Sequence, residues 1–354
     1  MKDFLHELPE QSHHFLLIAT PPYIKPESKA RHVRSETSAS VVTLANSLHV
    51  SVVVPVYDGE ATIAACIEAL LAQTYPRHLT EIIVVDNGST DGTCAIVQRH
   101  PVTLVTESIP TSYAARNRGI AQAVGEVIAL TDSDCLPMPD WLTHLVAPLV
   151  DPSIGAVLGA IDDAPPQSLV EEFTARVQPF AARTQRALKN LLTANVAIRR
   201  TTLTQLGLFD ERLPTGADVD LGWRMQQQLQ LTIVDAPAAI IMHRHRSTFR
   251  GVFAQYRRYG LSEILLTTLY RGGAGTNTPS EQRQRMIRQM RAMATYVASF
   301  LFHVVASVTR GIDRRRILWP LFLLTTELGN VVGKIGGLIA THYYRRIPFY
   351  ERRA

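Results

Sequence analysis

A series of short apolar runs, each followed by a polar turn, constrains the fold of residues 50–135 more than any other feature. The runs cover 50–56, 81–85, 102–105 and 126–130, and segments with helical spacing separate them. Buried parallel strands are continuous β-branched runs, and parallel strands need crossover connections. The alternation therefore predicts an α/β fold, with a mostly parallel sheet covered by helices on both faces.

Three of these runs lead into a residue that is suited to binding a ligand. Tyr57 follows the first run, Asp86 the second and Asp132 the fourth. In a parallel sheet all three positions lie at the carboxyl edge of the strands, which is where such folds bind their ligands. We therefore expect the functional site at this edge.

The stretch TDSDC (131–135) places two carboxylates one residue apart at the end of the fourth run. Residues i and i+2 of a strand face the same side, so Asp132 and Asp134 are expected to point in one direction. Like charges there repel each other unless a cation or a set of donors holds them, and Mg²⁺ prefers oxygen ligands. The alternative is a solvated turn that leads into Pro137 and Pro139.

The net charge of +5 is unevenly distributed, because arginines accumulate after residue 280. A basic tail beside apolar segments fits an anionic membrane surface better than a nucleic acid. The sequence has no zinc-finger or RNA-recognition signature, so we expect no nucleic-acid partner. Its three scattered cysteines have neither metal-site nor disulfide spacing, which favours a reducing compartment.

The composition divides the chain into four parts. We predict an irregular arm without the shape of a signal peptide at 1–48, a sheet domain at 49–250, a helix and flexible lid at 251–280, and a basic helical extension at 281–354. In the second half of the sheet domain and just beyond it, the patterns predict strands at 154–159, 191–198 and 231–235, and helices at 166–192, 218–229 and 249–269.

The basic extension contains two apolar segments. Residues 292–308 are borderline in length for a membrane span, and 317–341 include Glu327, Asn330 and Lys334. The glycines at 329, 333 and 337 have a spacing that permits close helix contact.

Arginine clusters flank both apolar segments. A spanning hairpin would place Arg314, Arg315 and Arg316 on the far side of the bilayer, against the positive-inside tendency. We therefore expect helices that lie in or on the cytoplasmic leaflet of a membrane. A two-span hairpin and packing against the sheet domain are the alternatives.

Six motifs occur in a fixed order over about residues 50–245. They are VVVPVYDGE (52–60), IIVVDNGSTDGT (82–93), ARNRGI (115–120), TDSDC (131–135), TANVAIRR (193–200) and LGLFDE (206–211). In this order and spacing they resemble family 2 glycosyltransferases of the GT-A fold, which are inverting, nucleotide-sugar-dependent enzymes. The resemblance implies a nucleotide-binding half at 49–135 and an acceptor half at 136–250.

The resemblance also implies roles for residues of the nucleotide-binding half. Pro55, Tyr57 and Glu60 would form the edge of the nucleotide pocket. Asp86 would accept a hydrogen bond from a uracil-type base, and Arg116 would lie near the base or the phosphates.

Further roles concern the metal and the reaction. Asp132 would lie on the ribose side of a metal site and belong to its ligands, and Asp134 would bind Mg²⁺ or Mn²⁺ directly. Asp218 matches the catalytic base.

Two further roles follow from position in the sequence: Asn195 would support the acceptor side or a backbone turn, and His243, which follows the apolar run 240–242, would complete the metal shell or touch the diphosphate. The alternative for His243 is a basic surface turn.

Two departures from the family pattern stand out. Ala217 precedes Asp218 where the family usually has glutamate. Asp220 would either replace that carboxylate or pair with Arg224 at i,i+4. The segment QYRRYG (255–260) has tyrosine where processive synthases have tryptophan, which favours transfer of a single sugar.

These features together predict an enzyme that transfers one sugar from a nucleotide sugar to a hydroxyl group with inversion. The expected nucleotide is UDP, and the expected acceptor is a glycan or a lipid-linked molecule. A carboxylate base without a covalent nucleophile predicts inversion, and a divalent ion would stabilise the leaving diphosphate. The alternatives are a non-catalytic sugar-nucleotide-binding or scaffold protein and a nucleotidyltransferase. The latter would need a glycine-rich phosphate loop after the first strand, which the sequence lacks.

Overall fold

The computed structural model describes residues 48–177, 190–270, 279–310 and 313–344. Four predictions lie wholly or partly outside the described residues: the N-terminal arm, the part of the 166–192 helix beyond 177, the lid at 271–278 and the arginines after 344. The described residues form two compact units. We call 48–165 with 190–244 the sheet unit, and we call 166–177 with the described residues after 244 the helical unit. This division differs from the predicted boundary at 250.

The first half of the sheet unit has the predicted alternation of strands and helices. Its elements are β1 (Val50–Val56), α1 (Ile63–Leu71), β2 (Thr80–Asp86), α2 (Thr93–Val97), β3 (Thr103–Thr106), α3 (Ser112–Gln122) and β4 (Val127–Thr131), with a turn of 3-10 helix at Arg77–Leu79. Every residue of β1 and β4 is buried. Burial on both faces explains why these strands are continuous apolar runs.

The chain continues with shorter elements and then long helices. They are β5 (Cys135–Pro137), α4 (Trp141–Val146), β6 (Ile154–Asp163), α5 (Leu169–Val177), β7 (Asn195–Arg199), α6 (Arg200–Gln205), α7 (Ala217–Gln228), β8 (Thr232–His243), α8 (Phe249–Leu269), α9 (Pro279–Arg310) and α10 (Arg314–Tyr344), with a 3-10 segment at Ala147–Val150. The sequence did not predict β5, α4 and α6. It did predict α8 with the observed bounds.

The eight strands form one sheet in the order β3-β2-β1-β4-β7-β6-β8-β5. The pairings of β1 with β2, β2 with β3, β1 with β4 and β6 with β8 are parallel. The pairings of β4 with β7, β6 with β7 and β5 with β8 are antiparallel. The predicted α/β class is confirmed, and the sheet is parallel in its first half and mixed in its second.

Strand β8 extends well beyond its predicted end at residue 235, and it contains an irregularity. The register against β6 shifts between Gly159 and Ala160, which pair with Ala236 and Ile240. The skipped residues include Pro237, which has no N–H for the ladder. The strand then continues to His243, and the pairing of β5 with β8 places Cys135 opposite that histidine.

The helical unit has its own apolar core. Phe173 of α5 packs edge-on against Trp319 and Phe322 of α10, with ring centroids 5.1 Å and 5.6 Å apart. Val252 and Tyr256 of α8 belong to the same buried cluster. Three helices that are distant in sequence thus share one interior.

Glycines bring α8 and α10 into direct backbone contact. A Cβ at Gly333 would overlap the carbonyl of Arg257, and one at Gly329 would lie 2.7 Å from the carbonyl oxygen of Phe253. Gly337 lies against the side chain of Ile264. The predicted close contact through these glycines is confirmed, with α8 as the partner.

Candidate active site

The turns after β1 and β2 are hydrogen-bonded to each other at the carboxyl edge of the sheet. Asp58, whose φ is 46°, accepts the backbone N–H of Thr90 at 2.8 Å and donates its own N–H to Ser89 Oγ at 2.9 Å. Glu60 accepts the N–H of Gly92 at 3.1 Å. These bonds fix both loops, and Glu60 holds the turn at the predicted edge of the pocket.

Pro55 and Tyr57 are close in sequence but have different environments. Pro55 is buried within β1, opposite Val85. Tyr57 is 63% exposed, so its ring offers a flat face at the edge of the sheet. Tyr57 is therefore accessible to a ligand, whereas Pro55 shapes the end of the strand.

Asp86 is the last residue of β2, and its carboxylate is buried and oriented by the following turn. It accepts the backbone N–H groups of Gly88 and Ser89, each at 3.2 Å. Gly88 has a φ of 87°, which glycine adopts at little cost. A carboxylate has about four acceptor positions, so Asp86 retains capacity for a further donor.

Arg116 of α3 is buried and forms an ion pair with a partly exposed carboxylate at the same edge. Its Nη2 donates to Asp132 Oδ1 at 2.5 Å, and its Nη1 donates to the carbonyl of Ser112 at 3.2 Å. Its guanidinium carbon lies 5.7 Å from the centre of the Tyr113 ring. Among the described residues, Arg116 Nε has no hydrogen-bond partner, so this arginine has a donor left for an anionic ligand.

The prediction that Asp132 and Asp134 share one face of a strand is wrong. Strand β4 ends at Thr131, and the carbonyl of Asp132 accepts the N–H of Cys135 at 3.1 Å, which closes a turn. The two carboxylates have different neighbours: Asp132 pairs with Arg116, and Asp134 lies beside His243. Residues in a turn do not keep the two-residue period of a strand.

The turn and the end of β8 create a cluster that is suited to a metal ion. Asp134, Cys135 and His243 place their donor atoms within 4.8 Å of one another. Asp134 Oδ1 and His243 Nε2 are 3.5 Å apart, and two bonds of about 2.1 Å can join donors up to about 4.2 Å apart. Mg²⁺ and Mn²⁺ prefer oxygen over soft sulfur, and burial raises the pKa of the Cys135 thiol. The oxygen of Asp134 and the nitrogen of His243 therefore fit such an ion, and Asp132 is outside this cluster.

Asp218 lies at the start of α7 in a partly buried position. The preceding Gly216 has a φ of 82° and begins the helix. Asp218 Oδ1 accepts the hydroxyl of Tyr113 at 3.1 Å and the N–H of Val219 at 3.0 Å. Burial raises the pKa of Asp218 above the ordinary value of an aspartic acid, which strengthens it as a base near neutral pH.

Tyr113 connects Asp218 to the ion pair. Its buried hydroxyl donates to Asp218 and accepts the N–H of Gly216 at 3.0 Å. Its ring lies beside the guanidinium of Arg116, which pairs with Asp132. A continuous series of side chains thus runs from the base to the turn that contains Asp134.

Asp220 has a structural role and does not replace the missing glutamate. Its completely buried carboxylate accepts Arg224 Nε at 2.9 Å. The same guanidinium donates to the carbonyls of Leu206 and Leu208. The ion pair between Asp220 and Arg224 therefore fixes the loop before α7. Ala217, at the position where the family has glutamate, is buried.

The predicted role of Asn195 in substrate binding is corrected by its contacts. The side chain is completely buried, and its oxygen accepts Trp141 Nε1 at 2.7 Å. Its amide nitrogen donates to the carbonyls of Ala160 and Ala239 at 2.7 Å and 2.9 Å. Both amide protons are thus used inside the sheet unit, so Asn195 supports the sheet.

The sequence did not identify Tyr113, Cys135 or Asn117 as residues that shape the site. Asn117 bonds to both backbone groups of Phe209, at 2.9 Å and 3.1 Å, and so joins two motifs of the chain. Its position next to Arg116 was the available signal. Nothing in the sequence marks the long-range contact of Tyr113 with Asp218, because 105 positions separate them.

Residues 51–203 match the family model described as glycosyl transferase family 2. A similar curated protein is the glycosyltransferase AglE of Haloferax volcanii, which is 32% identical over 181 residues, covering 48% of this chain and 59% of the relative. A second is the pre-mycofactocin glycosyltransferase of Mycobacterium tuberculosis, 27% identical over 231 residues, covering 60% of this chain and 46% of the relative. The matches thus span about half of each relative.

Among solved structures, the chain is similar to the mannosyltransferase PcManGT of Pyrobaculum calidifontis, which was solved in complex with GDP-Man and Mn²⁺. The TM-score is 0.55 at 22% identity, over 82% of this chain and 87% of that one. This likeness concerns the fold. Residues 51–203 of the chain are therefore similar to glycosyl transferase family 2, and the sheet that carries them has the GT-A fold.

Proposed function

We propose that the protein is an inverting glycosyltransferase that moves a single sugar from a nucleotide sugar to a hydroxyl acceptor. The observation that carries the proposal is the connection of Asp218 to the carboxyl edge of the sheet through Tyr113 and Arg116. A base, a buried arginine and an acidic turn in one connected arrangement meet the needs of displacing a diphosphate. The similarity of residues 51–203 to the family supports the same reaction class.

The donor nucleotide would bind between the turns after β1 and β2. Asp86 would accept an N–H of the base, and Tyr57 would offer its ring. The free Nε of Arg116 would donate to the ribose or the phosphates. We propose UDP as the nucleotide. Guanine also carries ring N–H donors, and the neighbour PcManGT was solved with GDP-Man, so GDP is the competing outcome of the test.

Asp134 and His243 would hold Mg²⁺ or Mn²⁺ together with oxygens of the diphosphate. A bound divalent ion supplies charge stabilisation for the leaving diphosphate. Arg116 would add a fixed positive charge, since its pairing with Asp132 holds it at the edge of the sheet. We assign Asp132 to the ribose side of this site.

Asp218 would take the proton of the acceptor hydroxyl. The hydrogen bonds from Tyr113 and Val219 go to Oδ1, which leaves Oδ2 as the atom that receives the proton. Direct displacement by the hydroxyl inverts the anomeric carbon, because no covalent sugar–enzyme bond forms. We propose a glycan or lipid-linked alcohol as the acceptor.

The contacts of the QYRRYG segment support transfer of a single sugar. Gln255 Nε2 donates to the Tyr259 hydroxyl at 2.9 Å within α8, and Tyr256 is buried in the core of the helical unit. These residues bond and pack within the helical unit, and Tyr259 stands where processive synthases have tryptophan.

A non-catalytic sugar-nucleotide-binding protein is the second candidate. It is favoured by Ala217, which stands where the family has glutamate, and by Asp220, which is committed to Arg224. The two candidates differ in turnover, since a binding protein would retain a nucleotide sugar without cleaving it.

The experiment is a donor-hydrolysis assay with UDP-glucose, UDP-galactose, UDP-N-acetylglucosamine and GDP-mannose, each with Mn²⁺ and with EDTA. Metal-dependent release of UDP from one donor is the expected result. NMR of the first sugar released from an α-linked donor would show the β anomer if the reaction inverts. Binding of a donor without release of nucleotide would establish the non-catalytic candidate, and release that prefers GDP-mannose would overturn the proposed nucleotide.

A further inference from the structure

The helical unit buries polar side chains between α9 and α10. Gln289 Nε2 donates to Glu327 Oε2 at 2.7 Å and to Asn330 Oδ1 at 3.2 Å, and all three side chains are buried. Lys334 of α10 forms a salt bridge with Glu263 of α8 at 3.3 Å. Gln289, Glu327 and Asn330 thus satisfy one another in the interior, and the Lys334–Glu263 pair is partly exposed.

The outward side of α9 is apolar. Exposed residues recur there at helical spacing, namely Met290, Val297, Leu301, Phe302 and Val305, which we call the apolar face. Phe302 and Val305 are 64% and 66% exposed. The segment Ile287–Ser307 is the one helix segment, within the described ranges, that is long and apolar enough to cross a membrane, and 6% of it is buried.

Helix α10 repeats this arrangement. Leu328, Val332, Ile335 and Ile339 are exposed in a narrow stripe, and Ile339 reaches 70% exposure. On its other sides the helix carries the buried polar residues and the glycines that contact α8. Both helices thus bury polar side chains and expose apolar ones, although α10 also buries Phe322 and Leu323. Exposed apolar faces are the reverse of what helices that face water show.

Basic residues lie at both ends of the apolar face. Arg288 and Arg291 are exposed on either side of Met290, where the face begins, and Arg314, Arg315 and Arg316 are exposed after its end. The stretch 292–307 between them has no Asp, Glu, Lys or Arg. It spans about 24 Å as a helix, which is shorter than the hydrocarbon core of about 30 Å. Two basic ends fit one negatively charged surface better than opposite surfaces.

We propose that the apolar face inserts into one leaflet of a bilayer that contains anionic lipids, with α9 lying along the surface. The face would bury its side chains among the acyl chains, and the flanking arginines would contact the lipid phosphates. The apolar stripe of α10 would enter the same leaflet. This inference is independent of the transferase reaction.

The test is flotation of the purified full chain with vesicles. One set of vesicles consists of phosphatidylcholine, and the other contains phosphatidylglycerol as well. The protein should float with the anionic vesicles and bind the neutral ones weakly. Replacing Leu301, Phe302 and Val305 with glutamine should weaken binding at least about tenfold, while the helix persists because glutamine is a good helix former.

Two further variants separate the contributions of charge and apolar area. Arg288→Gln with Arg291→Gln should weaken binding to anionic vesicles by about fivefold per arginine and leave binding to neutral vesicles unchanged. The matched control replaces Ile109 and Val124, two exposed apolar residues of the sheet unit, with glutamine, and it should bind as the wild type does.

Four outcomes would overturn the proposal. The first is absence of binding to anionic vesicles, and the second is unchanged binding of the triple glutamine variant. The third is that the wild type is a dimer in light scattering and does not bind vesicles, while the triple variant is a monomer. A second copy of the chain would then cover the face. Retention in the membrane after alkaline carbonate extraction of cells would instead indicate a spanning helix and contradict the surface placement.

Discussion

The sheet unit and the helical unit distribute their polar side chains in opposite ways. In the sheet unit the strands are buried and apolar, and carboxylates and arginine gather at the carboxyl edge. In the helical unit Gln289, Glu327 and Asn330 lie inside, and apolar residues of α9 and α10 lie outside. The polar groups at this edge are suited to chemistry, whereas Gln289, Glu327 and Asn330 hold helices together.

The largest expected effect is a loss of turnover while the fold is retained. Asp218→Asn removes the base but keeps an oxygen that accepts the Tyr113 hydroxyl. The rate of donor turnover should fall at least about 100-fold, whereas the affinity for the nucleotide and the melting temperature should change little. Steady-state kinetics and calorimetric titration of the nucleotide measure both quantities.

The control for this substitution is Asp140→Asn, because Asp140 is an exposed carboxylate that pairs with His144. It should retain full turnover. Loss of both turnover and nucleotide binding in Asp218→Asn would indicate that Asp218 supports the structure, and the proposed base would then be wrong.

The second prediction is a substitution that destabilises the helical unit and leaves the stability of the sheet unit unchanged. Gly333→Ala puts a methyl group where it would overlap the carbonyl of Arg257, so α8 and α10 must separate at a cost of about 1–3 kcal/mol. Hydrogen exchange should accelerate in both helices and stay unchanged in β1 and β4. Gly336→Ala is the matched control, since its added methyl meets nothing within 4 Å. Equal exchange rates in the two variants would contradict the close contact.

The third prediction concerns the metal. His243→Asn should raise the Mn²⁺ concentration for half-maximal turnover at least about tenfold, because the imidazole nitrogen beside Asp134 is lost. His144→Asn, at a half-buried histidine of the sheet unit that pairs with Asp140, should leave this concentration unchanged. An unaltered requirement in His243→Asn would remove His243 from the metal site.

The smallest expected effect is a change in pH dependence. Tyr113→Phe removes a hydrogen bond that favours the charged form of Asp218, so the pKa of this carboxyl, already raised by burial, should rise further. The base acts when deprotonated, and the acidic limb of the rate profile should therefore move to higher pH. Turnover at pH 6 should fall about threefold to tenfold and approach the wild-type value in alkaline solution.

The control for this profile is Tyr75→Phe, since Tyr75 is also buried and donates its hydroxyl to a backbone carbonyl, that of Leu48. Its profile should keep the wild-type midpoint. A uniform loss of turnover at every pH in Tyr113→Phe would indicate a purely structural role for Tyr113.

The sequence predicted the elements whose signal is local. Strand β1 and helix α8 were predicted with their observed bounds, because a β-branched run and a 21-residue helical period are complete within the segment itself. The glycine spacing in α10 likewise predicted a helix contact. The carboxyl edge was predicted for the same reason, since the end of each apolar run marks it.

The features that depend on distant partners were not predicted. Strand β5 has three residues and exists through its pairing with β8, so no local period marks it. The turn at Asp132 depends on where β4 ends. Because of this turn, Asp132 and Asp134 have different partners. Asn195 had the sequence context of a site residue, but it bonds to groups from three other segments.

The glycine contact between α8 and α10 has a consequence for the solvent in which the helical unit is stable. Backbones that touch through Gly329 and Gly333 are held by dispersion forces and by the polar groups buried nearby. Hydrocarbon does not weaken these forces, whereas it abolishes the gain from removing apolar surface from water. The glycine contact between α8 and α10 therefore persists in lipid as well as in water, whereas the apolar core that the two helices share gains its stability from water alone.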